Sequence, residues 1–164
     1  MDIFDAEIVN FWKSLQQNHV RFIMIGGFAT NLHGYQRFTG DMDIWIEDTN
    51  TNRKNLRKAF VEYGLGDIEL LERMKFVTGW TDFYLNNGLR LDIITDMKGL
   101  ENYSFDECYN LASIAEIENV QAPFLHINHL IQNKKSVGRE KDQLDVKYLE
   151  KIRKLREEND FDIS

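Results

Sequence analysis

The 164-residue chain has one cysteine, Cys108, and one proline, Pro123. A lone thiol makes neither an intramolecular disulfide nor a cysteine-based zinc site, so the fold has to rest on an apolar core, as in proteins of a reducing compartment. Low-complexity tracts, internal repeats and linkers are missing too, which leaves no segment set aside for disorder. The sequence also lacks a basic excess. Its 20 Lys and Arg stand against 27 Asp and Glu, a net charge of −7. This excludes broad nonspecific DNA binding, which needs a basic face to displace counterions, though it leaves room for a local basic patch. No apolar run approaches the roughly 20 residues of a membrane span. The opening "MDIFDAEIVNFWKSL" carries acids where a secretory leader carries basic residues. The expectation is a soluble cytoplasmic protein with no membrane partner.

Hydrophobic residues make up 43% of the chain and aromatics 12%. That supports one domain over residues 1–164, with an α/β core at about 18–98 and a C-terminal helical part at about 105–158. Ile8, Phe11, Trp12 and Leu15 recur at helical spacing, and Asp2 or Asp5 can cap them. "VRFIMI" is short and almost wholly apolar, as a strand buried on both faces should be, and it stops at Gly26-Gly27. "FATNLHGY" reads as a short helix ended by Gly34, and "DMDIWIED" alternates with period two.

A helix capped by Asn50 or Thr51 runs to Tyr63 with Gly64 behind it. "DIELLERMKFVTG" carries β-type runs, and "TDFYLNNGLRLDIIT" a hairpin turning at Asn86-Asn87-Gly88. "SFDECYNLA" is a short helix, "APFLHI" an extended piece, and "HINHLIQNKK" and "GREKDQLDVKYLEKIRKLREE" two closing helices. In the last, Leu144, Tyr148, Ile152 and Leu155 form one apolar stripe. The aromatics Phe11, Trp12, Phe60, Trp80, Phe83 and Tyr148 are assigned to the core. Strands and helices in this order predict a mixed β-sheet with flanking helices.

The chemistry lies in the stretch "IGGFATNLHGYQRFTGDMDIWI". Asp41 and Asp43 share one strand face, and two such carboxylates repel unless something positive offsets them. A hard divalent cation, Mg²⁺ or Mn²⁺, is the natural partner of this donor set. Asp92 in "LRLDIIT" repeats the theme on what should be a neighbouring strand, where three carboxylates would converge as a two-metal phosphoryl-transfer site requires. Gly26-Gly27, between a buried strand and a helix, let the backbone approach a phosphate closely.

Gly-Gly, Asp-x-Asp, a later strand Asp and the basic "LHINHLIQNKKSVGREKDQLDVKYLEKI" resemble, in that order, the DNA polymerase β-like nucleotidyltransferase superfamily. The tail is similar to small bacterial nucleotidyltransferase-like proteins, including relatives of the abortive-infection nucleotidyltransferases of toxin–antitoxin systems. The resemblance implies a nucleotidyltransferase fold and Mg²⁺-dependent transfer of a nucleoside monophosphate from an NTP to RNA, protein or a small molecule. It implies Asp41, Asp43 and Asp92 as metal ligands, Asp92 also as proton acceptor, and Gly26 and Gly27 as contacts of the triphosphate. Phe28 stands where many members have a phosphate-binding serine. A catalytically idle interaction module, such as an antitoxin bound to a partner protein, is the alternative.

Further residues admit two readings each. Arg37 and Thr39 bind phosphate or order a loop. Lys134, Lys135, Arg139 and Lys141 neutralise a triphosphate or pair with Glu140, Asp142 and Asp145; Lys135, Arg139 and Lys141 are the favoured binders. Trp45 packs beneath the acids or lines their site. His33, His126 and His129 are expected to cap helices or to be satisfied within the core.

Overall fold

A computed structural model of the protein describes residues 5–79 and 81–163; Asp2 and Trp80 lie outside them. Asp5 opens helix α1 (Ala6–Gln17) by accepting a hydrogen bond from the Glu7 amide at 2.8 Å. Its apolar face, Ile8, Phe11, Trp12 and Leu15, is fully buried. Strand β1 (Phe22–Ile25) is buried along its whole length and runs directly into α2 (Gly26–Leu32). Strand β2 (Asp41–Ile46) follows, then α3 (Asn50–Tyr63). The cap of α3 is Thr49, one residue earlier than expected, whose hydroxyl accepts from the Asn52 amide; Gly64 ends the helix at φ +107°.

The segment expected to hold β-type runs instead contains a single 3₁₀ turn, Glu69–Glu72. The buried guanidinium of Arg53 explains the difference. It donates to the carbonyls of Leu71 at 3.1 Å and Met74 at 2.7 Å, satisfying backbone acceptors that a strand would have given to a neighbour. Strands β3 (Phe83–Tyr84) and β4 (Arg90–Ile94) form the expected hairpin, with Gly88 at φ +86°. Helix α4 (Phe105–Leu111) is capped by Ser104.

Strand β5 (Ser113–Ile117) was not anticipated. It pairs antiparallel with β6 (Val120–Phe124) through Glu118-Asn119, both at positive φ, the geometry of a two-residue hairpin turn. Helices α5 (Ile127–Val137) and α6 (Glu140–Ile163) close the chain.

The strands form one mixed sheet in the order β3-β4-β2-β1-β6-β5. β2 is parallel to β4 and antiparallel to β1, and β1 is parallel to β6. Among the described residues, no helix is long and apolar enough to cross a membrane.

Helix α6 corrects the expected apolar stripe. Leu144 is 48% exposed, Tyr148 38% and Leu155 58%, while Ile152 alone of that set packs on the core. The face turned inward carries Asp142, Asp145 and Leu149. Hydrophobicity alone chose the wrong face because two buried acids meet cations there, as described below. Leu149→Ala should therefore cost about 2–5 kcal/mol in chemical denaturation, as core leucine truncations do. Leu155→Ala should stay within about 0.5 kcal/mol; comparable losses at the two positions would refute this orientation.

Candidate active site

The register of the sheet builds the site. Ile25 of β1 stands opposite Asp43 of β2, and Asp43 opposite Asp92 of β4, so the end of β1 and both acids form one row across three strands. Asp41 lies two residues before Asp43 and opposite Arg90. Residues paired in this way share a face of the sheet, so three carboxylates and one guanidinium occupy one patch.

Their environments differ. Asp41 is exposed, Asp43 partly enclosed and Asp92 buried. Asp92 Oδ1 lies 3.6 Å from Arg90 Nε, close enough for charge attraction but beyond a hydrogen bond, and neither atom has a hydrogen-bond partner among the described residues. Burial first, then the charges of Asp92 and Asp41, push the Asp43 carboxyl up to about 6, against the opposing charges of Lys134 and Lys141.

Both glycines are needed for steric reasons. Gly26 adopts φ +63°, and a Cβ there would stand 2.5 Å from Asp43 Oδ2. A Cβ on Gly27 would stand 2.5 Å from Thr39 Oγ1 and 3.4 Å from Arg37 Nη1. The start of α2 is thus ringed by Asp43, Thr39 and Arg37. Phe28 is fully buried and anchors this short helix in the core. Trp45 packs beneath the site rather than lining it: its indole N–H donates to the Thr95 carbonyl at 3.1 Å, and its ring meets Phe105 edge-on at 5.2 Å.

The cations of the closing helices are engaged with one another's counterions. Arg37 makes a two-pronged pair with Asp145, Nε and Nη2 each at 2.8 Å, and Nη1 donates to the Phe38 carbonyl. Lys134, buried on α5, donates to the same Asp145 at 2.8 Å and lies 3.6 Å from Asp142. Arg139 pairs with Asp142 at 2.7 Å. Burial works against the Asp142 carboxylate, but Arg139 and Lys134 outweigh it and hold its pKa below the usual range. Lys135 points to Glu150 instead, at 2.8 Å.

The charges acting on Asp43 from these helices are therefore those of Lys134, Arg139 and Lys141. Lys134 was the less favoured member of its cluster, yet it continues the buried spacing Ile127, Leu130, Ile131 on α5, a signal present in the sequence. Asp142 and Asp145, read as local partners on a solvated helix, are the fully enclosed centre of the network.

His33 and His126 serve structure as expected, whereas the buried His129 Nδ1 has no hydrogen-bond partner among the described residues. His126 caps α5 through Nδ1, and His129 packs against Tyr103. His33 is buried with Nε2 at 2.7 Å from the Leu125 carbonyl, and burial lowers its pKa to about 4, so it is neutral.

A divalent cation fits the donors in part. All-oxygen ligands, an unpartnered buried Asp92 oxygen and an Asp43 carboxylate under electrostatic pressure suit a hard cation. With the side chains as they stand, however, no three His, Cys, Asp or Glu among the described residues are gathered tightly enough to hold one.

Because the folded pKa of Asp43 lies above the ordinary 3.8, ionising it opposes folding, and the loss sets in as pH rises from about 4 through about 6. In metal-free buffer, Asp43→Asn should unfold at higher denaturant than the parent at pH 7.5, by up to about 3 kcal/mol, and converge with it at pH 4. A difference independent of pH would refute the assignment.

No protein-family model matches the chain, and no curated protein matches its sequence. Solved structures do. One is a presumed nucleotidyltransferase from Thermotoga maritima, 18% identical, with a TM-score of 0.53 over 90% of this chain and 89% of that one. Another is an antigenic nucleotidyltransferase-like protein from Paracoccidioides brasiliensis, 14% identical, with a TM-score of 0.56 over 93% of this chain and 76% of that one. At these identities the likeness establishes architecture: the chain has a nucleotidyltransferase-like fold, a mixed six-stranded sheet with flanking helices.

Proposed function

We propose that the protein is a divalent-cation-dependent nucleotidyltransferase that moves a nucleoside monophosphate from an NTP to an acceptor hydroxyl. The observation that carries the reading is the row Ile25–Asp43–Asp92, with glycine turned against Asp43 at its end. Asp41, Asp43 and Asp92 would hold Mg²⁺ or Mn²⁺, which would supply charge neutralisation at the reacting phosphates. Asp92 accepts the proton of the acceptor hydroxyl. The new bond forms between that oxygen and the α-phosphorus, the bond from the α-phosphorus to the oxygen bridging to the β-phosphate breaks, and pyrophosphate leaves.

With Phe28 in the core, the phosphates rest on the Gly26-Gly27 backbone and the remaining donor capacity of Arg37, and the Thr39 hydroxyl joins them only by giving up its 3.1 Å bond to the Asp41 carbonyl. Lys141, which makes no ion pair among the described residues, faces them with Arg139. Lys135, paired with Glu150, is left outside this set. RNA, protein and small molecules remain the acceptor classes to test, and a nucleotide-consuming enzyme of this kind belongs in the cytoplasm.

One observation favours a second reading. Arg37, Lys134, Lys135 and Arg139 all have carboxylate partners, so few cations are left for a triphosphate. The idle alternative is an interaction module of the antitoxin kind, bound to a partner protein.

Incubation with each α-labelled NTP, Mg²⁺ or Mn²⁺ and the three acceptor classes separates these readings. Label transfer should occur with the parent and fall at least about 100-fold in Asp43→Asn and in Asp92→Asn. Transfer surviving both substitutions sinks the site, and a parent that neither binds NTP nor transfers label favours the interaction module.

A further inference from the structure

Helix α6 carries two parallel faces at heptad-like spacing. The inward one, Asp142, Asp145, Leu149 and Ile152, is covered by the body of the protein. The other, Lys141, Leu144, Tyr148, Lys151, Leu155 and Glu158, is exposed at every position. Its steps of three, four, three, four and three place these six side chains in one line about 26 Å long. Large apolar side chains exposed in a row call for a partner, in contrast to ones scattered singly.

The order of residues along this line identifies the partner. Laid antiparallel against itself, the line sets Lys141 opposite Glu158, Leu144 opposite Leu155 and Tyr148 opposite Lys151, and the two-fold axis repeats each pair. No like charges meet within the line. Leucine packs on leucine in the alternating layers of an antiparallel helix pair, and opposite charges close both ends. In the middle layer each Lys151 exchanges the Tyr148 ring of its own chain, 5.4 Å from Nζ, for the Tyr148 ring of the second copy. Tyr35 stacks on Tyr148 at 4.2 Å and steadies that ring.

We infer that this face docks on the same face of a second copy of the chain, α6 against α6 and antiparallel. Lys147 and Lys154 flank the line on its open side, where like charges from the two copies approach in solvent. Their repulsion is small and screened, and it keeps the association modest. The pairing does not rest on the proposed transferase activity, although its end pair shares Lys141 with the proposed phosphate set.

Sedimentation equilibrium of the whole chain at tens of micromolar tests the pairing. The expected result is a particle of twice 19.4 kDa that Leu144→Glu with Leu155→Glu returns to monomer, with an unchanged circular dichroism spectrum. Oxidative cross-linking tests the direction. Mixed Leu144→Cys and Leu155→Cys chains should join to each other, whereas either alone should not; Cys108 is buried and does not compete. A parent that stays monomeric, a dimer indifferent to the double substitution, or efficient joining of Leu144→Cys to itself would overturn the inference.

Discussion

The direct opposition of Asp43 and Asp92 on neighbouring parallel strands governs the architecture around it. Carboxylates on directly opposed residues repel strongly once burial lowers the dielectric around them. A sheet accepts that cost only if its surroundings offset the charge or the site exists to recruit a cation. Here offsetting charge is visible. Arg90 leans on Asp92 from two residues back, the closing helices bring Lys134, Arg139 and Lys141 within electrostatic reach, and one Asp92 oxygen is still unpartnered. Gly26 yields its side chain so that Asp43 has room. Burial first, and then the residual repulsion, appear as the raised pKa of Asp43.

A second ionic cluster holds this arrangement from the side. Asp145 receives three donor contacts from Arg37 and Lys134, and Asp142 receives Arg139 while sharing Lys134. The loop between α2 and β2 is therefore strapped to α5 and α6. Removing one member of such a cluster leaves an uncompensated buried charge, which is more disruptive than the modest net worth of the intact pairs suggests.

Much of this was legible in the residues. Period-two alternation fixed Asp41 and Asp43 on one face, the apolar run before Gly26 marked a central strand, and Asn86-Asn87-Gly88 marked the hairpin that brings in β4. Failures came where a polar contact at long range overrode a local preference. Arg53 claimed the carbonyls of residues 71 and 74 and left a 3₁₀ turn in place of strands. On α6, Asp142 and Asp145 took the buried face and turned Leu144, Tyr148 and Leu155 outward. Strand β5 was passed over because its pairing depends on two residues at positive φ, which composition signals only weakly.

The sequence by itself determined which residues the proposed site is built from: acids two apart on a strand, a third acid on another, and glycines where a helix begins. Side-chain type and the period of the backbone are local properties, and they were enough for that. Only the tertiary structure decided that Asp43 meets Asp92 in register, that Lys134 and not Lys135 turns toward the acids, and that Arg37 is held by a residue 108 positions away. Register and the pairing of distant charges are settled by the whole set of contacts competing at once, and no window of the sequence contains that set.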